Sequence, residues 1–209
     1  MKFYFGGCSF TKGVGLENKK EERWSKLVCD YFDAEEHNFS ESCGSNNRTL
    51  RKLLLDDNDI DYQIYFMQLT MPSRTEFFLD NEWRNISTLT ANIDIENKPD
   101  PPPGKEWKKK YLPAINAYYK KIYHKEYGNV NEKIVYKSIN AYLRDKPIIW
   151  TTMRSSHHYN AEEGVSSVPV DLCIGKKIYP RSPCGHPNAE GQRMIADAII
   201  SIINKRGLI

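Results

Sequence analysis

The run Lys2-Phe3-Tyr4-Phe5 passes directly into Gly6-Gly7-Cys8-Ser9-Phe10-Thr11-Lys12-Gly13-Val14-Gly15-Leu16, a junction that few folds accommodate. A short unbroken aromatic run suits a buried strand. Two glycines immediately after it permit a tight turn through backbone angles that other residues resist. Ser9 then falls at the carboxyl end of the strand, where open parallel sheets place their ligand sites. A serine on such a turn stands clear of the sheet with backbone N–H groups beside it. That is what a nucleophile sharing its site with an oxyanion hole requires. The same residues also read as a glycine-rich turn bearing a solvated serine. Their spacing does not fit a phosphate-cradling Walker loop, because no Gly-Lys-Ser/Thr follows.

Strand and helix patterns alternate along the rest of the chain. Residues 21–32 carry Trp24, Leu27, Val28, Tyr31 and Phe32 at helical spacing, and residues 35–39 read as a weak second strand. A polar loop containing Cys43, Gly44, Asn46 and Asn47 feeds a short helix with Leu50, Leu53 and Leu54 on one side. Asn46 or Asn47 either caps that helix or turns an amide toward Ser9. Residues 62–69 read as a central strand, apolar on both faces, that ends in the polar segment Thr70-Met71-Pro72-Ser73-Arg74. Residues 80–104 lack periodicity and read equally as a lid, a substrate wall or a surface insertion. Helices are predicted over 106–127 and 131–143, and a strand over 146–152, followed by a loop with His157 and His158. Adjacent histidines suit a base or metal site, although such pairs are more often loop surface. The chain closes with Cys184-Gly185-His186-Pro187-Asn188 and a helix buried along Met194, Ile195, Ala198, Ile199 and Ile202. Pro187 biases His186 away from helical geometry, and Asn188 suits a helix cap. This alternation predicts an α/β chain, a three-layer α/β/α sandwich around a flavodoxin-like parallel sheet of about five strands. One domain over 1–209 is expected, with the irregular insertion at about 80–104.

Composition bounds the partners. The net charge of +3 is too small to argue for nucleic acid. Six lysines with interleaved tyrosines over 106–127 leave nucleic-acid association as a distant third reading, since lysine is the usual exposed helix residue. No apolar run approaches the ~20 residues of a membrane helix, and no signal-peptide pattern opens the sequence, so a cytoplasmic, non-membrane location is expected. The 5 cysteines fit a reducing compartment better than a disulfide framework. Cys8, Cys43 and Cys184 each lie close to a segment singled out above, yet no metal-ligand spacing accompanies them, and small buried thiols are the expected reading.

A serine after the first strand, a Gly/Asn loop after the second and a His-Pro-Asn before the last helix form a set. By the order and spacing of those blocks over nearly its whole length, the chain resembles the SGNH (GDSL-type) hydrolases, particularly their shorter phage and bacterial relatives. The resemblance rests most on Gly7-Cys8-Ser9-Phe10-Thr11 with Gly13 and Gly15, and on His186-Pro187-Asn188 with Gly191. Residues 69–74 resemble a version of the third block in those relatives. The resemblance implies Ser9 as nucleophile, His186 as general base, and the N–H groups of Ser9 and Gly44 in an oxyanion hole. Two positions depart from the pattern. Thr70 stands where the third-block asparagine is expected, with Gln68, Asn46 and Arg74 as substitutes nearby. Pro183 stands where the family has the aspartate that orients the histidine, leaving a backbone carbonyl or the upstream Asp171 as alternatives. The implied activity is serine esterase or acyl hydrolase chemistry on a small-molecule or glycan ester, with an O-acetyl group as the favoured acyl, and needs no cofactor or metal. A catalytically impaired binding or virion-associated protein of the same fold is the second reading.

Overall fold

The computed structural model describes residues 1–56, 60–88, 106–154, 168–176 and 178–209. The strands β1 (Lys2–Gly6), β2 (Glu35–Asn38), β3 (Ile64–Leu69), β6 (Ile148–Thr152) and the short β7 (Leu172–Cys173) form a five-stranded sheet in the order β2-β1-β3-β6-β7. Every pairing in it is parallel. Because the order reverses between β1 and β3, a crevice opens beyond their carboxyl ends. This is the flavodoxin-like α/β arrangement expected from the sequence.

Period-two alternation along the strands builds a core on each face. Phe3, Phe5, Ile64, Phe66 and Ile149 point to one side, against α3 (Trp24–Tyr31) and α7 (Ala189–Arg206). Tyr4, Tyr65, Met67, Leu69 and Trp150 point to the other, against α4 (Asn46–Asp56) and α6 (Lys125–Tyr142). On the first side Phe5 stacks on Phe66 with ring centroids 4.6 Å apart and planes 5° from parallel, and Trp24 meets Phe5 edge-on at 5.4 Å. Both residues of the stacked pair are almost fully buried, so the aromatic run at the start of the chain supplies the centre of the core.

The structure divides two helices that the sequence reading ran together. Residues 21–32 split into α2 (Lys19–Glu22) and α3, with Arg23 between them in extended geometry. Arg23 leaves the helical path because its guanidinium makes a two-pronged pair with Glu36 on β2. Residues 106–127 likewise split into α5 (Glu106–Lys121) and α6, which begins at Lys125 rather than near 131. His124 caps α6 by accepting the Glu126 N–H, and Ile122 is exposed in the break.

The region expected to be irregular from residue 80 begins as regular structure. Strands β4 (Thr75–Leu79) and β5 (Glu82–Ile86) form an antiparallel hairpin. Asp80 and Asn81 turn it with φ of 50° and 61°. A two-residue loop with both central residues at positive φ matches strand twist, and Asp and Asn tolerate it best. Leu79 and Ile86 from the hairpin pack with Trp107 and Ile115 of α5. Residues 89–104 of the expected insertion, and His157 and His158, lie outside the described residues.

The Phe5–Phe66 stack yields a stability test. Phe66→Ala is expected to cost about 3–5 kcal/mol, the range for emptying a buried aromatic site, measured as a lowered denaturant midpoint with an unchanged slope.

Candidate active site

The turn that follows β1 is held from below by a single carboxamide. Gln68, near the carboxyl end of β3 and fully buried, accepts the Cys8 N–H at 3.0 Å and the Thr11 hydroxyl at 2.6 Å through Oε1. Its Nε2 donates to Cys8 Sγ at 3.2 Å. A side chain at Gly7 would sit 2.6 Å from Gln68 Oε1, so only glycine lets the turn close onto this amide. Cys8 caps the short helix α1 (Ser9–Lys12), placing Ser9 at its first position, where the N–H has no intrahelical acceptor.

The second half of the site arrives from the other end of the chain. Ser182, Pro183, Cys184 and Gly185 make a β-turn closed by the Gly185 N–H on the Ser182 carbonyl at 2.9 Å. Proline at the second position and glycine at the fourth are the residues this turn favours. That explains why proline holds position 183. The chain then returns antiparallel through an Arg181–Pro187 bridge, and Asn188 accepts the Gly191 N–H at 2.9 Å to start α7, the capping role expected of it. Gly15 lies beneath this turn with φ of 92°, where an added Cβ would meet Ser182 Oγ at 2.7 Å and Cys184 Sγ at 2.8 Å. The two loops thus interlock at one glycine.

Interlocking brings together the pair singled out in the sequence. His186 Nε2 and Ser9 Oγ are 2.9 Å apart across 177 residues of chain, and Ser9 is buried. Phe10 lies beside the imidazole with ring centroids 5.2 Å apart, and Arg181 crosses the other way over the Phe10 ring at 5.5 Å. Arg181 also donates to the Gly175 and Lys176 carbonyls, at 2.9 and 3.2 Å, tying the histidine loop to the end of β7. Burial holds the His186 pKa below its ordinary 6.5, opposed by a hydrogen bond to the Cys184 backbone and reinforced by the charges of Arg74 and Arg181.

The remaining nitrogen of His186 faces a thiol. Cys184 Sγ lies 3.3 Å from Nδ1 and 3.0 Å from the Ser182 hydroxyl. Hydrogen bonds from Ser182 and from the backbone at His186 lower the Cys184 pKa below the ordinary 9.0 of a thiol. Cys184 and Cys43 are both exposed, which corrects the expectation of small buried thiols. Cys8 is buried as expected, against Met153 Sδ at 3.6 Å.

Asp171 is placed elsewhere. One of its carboxylate oxygens accepts the Trp150 N–H at 2.7 Å and the other pairs with Arg206. Arg206 ends the 18-residue α7, whose first turn adjoins His186. At ~1.5 Å per residue, that is about 27 Å from the histidine end. The structure therefore does not bring Asp171 to the imidazole.

The expected oxyanion residues separate in the same way. The Gly44 N–H is taken by the Glu41 carbonyl at 2.9 Å. Gly44 instead lets its loop lie against the turn, since an added Cβ would meet the Gly7 carbonyl oxygen at 2.7 Å. Asn46 is buried, and its Oδ1 accepts the Thr70 N–H at 2.8 Å, which fixes the amide and leaves Nδ2 as its donor. Thr70 Oγ1 and Arg74 Nη1 are buried without a hydrogen-bond partner. Gln68 is occupied with the turn that carries Ser9. Sequence reasoning missed Gln192, whose Oε1 accepts the Trp24 N–H at 2.9 Å while Nε2 reaches the Phe10 carbonyl at 3.4 Å. A polar residue on the otherwise apolar face of α7 was the available signal.

Among the described residues, no group of three His, Cys, Asp or Glu side chains is placed to hold a metal, and no helix is long and apolar enough to cross a membrane. Gly15→Ala is expected to lower the thermal midpoint and weaken the Ser9–His186 contact, read as slowed labelling of Ser9 by a fluorophosphonate at fixed temperature.

No protein-family model and no curated protein sequence matches the chain. Solved structures do. A psychrotrophic esterase, EstA, from Pseudoalteromonas sp., inhibited by monoethylphosphonate, aligns with a TM-score of 0.54 and 14% identity over 98% of this chain and 97% of its own. A family two carbohydrate esterase from Clostridium thermocellum, solved with cellohexaose, aligns at 0.53 and 11% identity over 100% of this chain. A carbohydrate esterase family 2 enzyme with a carbohydrate-binding domain, from Corynascus thermopiles (Myceliophthora fergusii), aligns at 0.56 and 10% identity over 97% of it. The chain spans 65% of each of these two carbohydrate esterases. An α/β chain with a parallel five-stranded sheet, aligned over 97–100% of its own length with these structures, has the fold of the SGNH-type esterases.

Proposed function

We propose that this protein is a serine esterase acting through an acyl-serine intermediate. The observation that carries the reading is the 2.9 Å contact between Ser9 Oγ and His186 Nε2, made between the buried Ser9 turn and the half-buried histidine at the carboxyl edge of the sheet. For Nε2 to accept the Ser9 proton, Nδ1 must carry the other ring hydrogen. Cys184 supplies the partner that holds it there, from both thiol and backbone. His186 takes the proton as Oγ bonds to the ester carbonyl carbon. The Ser9 N–H and the Asn46 amide donate to the oxygen that becomes negative. The alcohol leaves with the proton from His186. Water, deprotonated by His186, then breaks the acyl-serine bond, releasing the acid and restoring Ser9. The favoured substrates are small acyl esters, O-acetyl groups on glycans included, which the carbohydrate esterases of the same fold support.

The test is labelling by a fluorophosphonate, read by intact mass. A single adduct on the wild type, absent in Ser9→Ala and much slower in His186→Ala, is the expected result. A folded wild type that takes no adduct overturns the mechanism and leaves a cleft that binds without turnover.

Activity is expected to fall on acidification as His186 protonates. Because its pKa lies below 6.5, the acid limb of kcat/KM has its midpoint below 6.5, with activity retained above it. Cys184→Ala is expected to lower kcat by tenfold or more, short of the ~10⁴ lost with the acid of a full serine triad, because a thiol holds an imidazolium less strongly than a carboxylate does.

A further inference from the structure

The other half-buried and buried arginines of the described chain either pair with a carboxylate or donate to backbone carbonyls, as Arg48 does to Phe39 and Arg181 to Gly175. Arg23 holds Glu36, Arg51 holds Glu76 and Arg154 holds Glu132. Arg74 departs from this pattern. It is 8% exposed, its Nη1 has no hydrogen-bond partner, and no carboxylate pairs with it among the described residues. Its charge reaches His186, where it helps to hold the imidazole neutral. It also lies near Tyr119, whose phenol burial pushes well above its ordinary pKa, with the Arg74 charge opposing that rise only in part.

A desolvated cation without a counter-charge is unfavourable, and folded proteins keep one where something else completes it. The backbone around Arg74 is fixed in advance. Tyr119 donates its hydroxyl to the Ser73 carbonyl at 2.6 Å, and the Arg74 N–H closes a turn on the Met71 carbonyl at 3.0 Å. The segment continues β3 past Gln68 and Thr70, which hold the nucleophile turn and Asn46. A buried guanidinium on a fixed segment, with its charge felt at His186, suits a planar anion. Its donor fork matches a carboxylate.

We propose that Arg74 binds a carboxylate carried by the substrate, so that the preferred substrates are esters with an anionic group near the scissile bond. This rests on the esterase reading above for the location of that bond. The pairing supplies binding and orientation and leaves the bond-making steps to Ser9 and His186.

Two measurements separate the proposal from the reading it rests on. The first compares kcat/KM for 4-nitrophenyl acetate with that for two anionic esters, mono(4-nitrophenyl) glutarate and 4-acetoxybenzoate, in wild type, Arg74→Gln and Arg74→Lys. The wild type is expected to favour at least one anionic ester by tenfold or more. That ratio is expected to collapse in Arg74→Gln, mainly through KM, and to recover in part in Arg74→Lys. A wild type without the preference, or an Arg74→Gln variant that loses rate equally on all three esters, overturns the proposal. The second is calorimetric titration of glutarate into the Ser9→Ala protein, which needs no turnover. Saturable binding lost on adding Arg74→Gln supports the carboxylate site even if no ester is cleaved. No binding, or binding unchanged by Arg74→Gln, overturns it.

Discussion

The carboxamide of Gln68 is the contact on which the site depends. A backbone turn as tight as residues 6–9 exposes polar groups that the sheet cannot satisfy, and in a buried position each unpaired group is costly. Gln68 satisfies the Cys8 N–H, the Thr11 hydroxyl and the Cys8 thiol with one side chain. It can do so because β3 runs parallel to β1 in a register that sets Gly6 opposite Met67, which puts the next residue of β3 under the turn. The aromatic core fixes that register, since a one-residue slip would move Phe5 and Phe66 off the same face. The packing of the sheet and the aim of Ser9 are therefore one problem.

The same economy governs how the chain ends meet. α7 is both a core helix and the mount for His186. Its Ile195, Ile199 and Ile203 pack on the sheet, while Gln192 in its first turn ties Phe10 and Trp24. Arg181 and Gly15 clamp the loop before it from two sides. A contact across 177 residues would be entropically expensive for a free loop. Here the helix and the interlocked turns hold both partners before any substrate arrives.

What was legible in the sequence follows from which signals are local. Aromatic runs, glycines after a strand and an Asn-capped final helix each declare themselves within a few residues, so the parallel sheet could be read directly, whereas the pairing of Ser9 with His186 came from the family resemblance those blocks carry. Long-range contacts could not. Arg23 breaks a helix because Glu36 is across the sheet edge, and Asp171 turns away from the site because Arg206 claims it. The hairpin signal was local but short, a single Asp80-Asn81 pair between aromatic residues. Gly44 was expected to turn its N–H toward an oxyanion, but the direction of that N–H is set by the Glu41 carbonyl, which spacing does not reveal.

Charge explains how the departures from the family pattern belong together. An acid at position 183 would place a negative charge behind His186 and draw its pKa upward. Pro183 removes that charge and closes a turn that offers a thiol and a carbonyl instead. Around the imidazole there remain the charges of Arg74 and Arg181, both of which oppose its protonation. In the proposed mechanism a neutral general base under the influence of two cations stays ready to accept a proton but stabilises the resulting imidazolium poorly. An anionic substrate reverses that defect, because its charge both pairs with Arg74 and offsets the imidazolium formed as Ser9 attacks. In such a site the missing carboxylate would be brought by the substrate, and turnover of neutral esters would be the slower reaction for an electrostatic reason rather than a steric one.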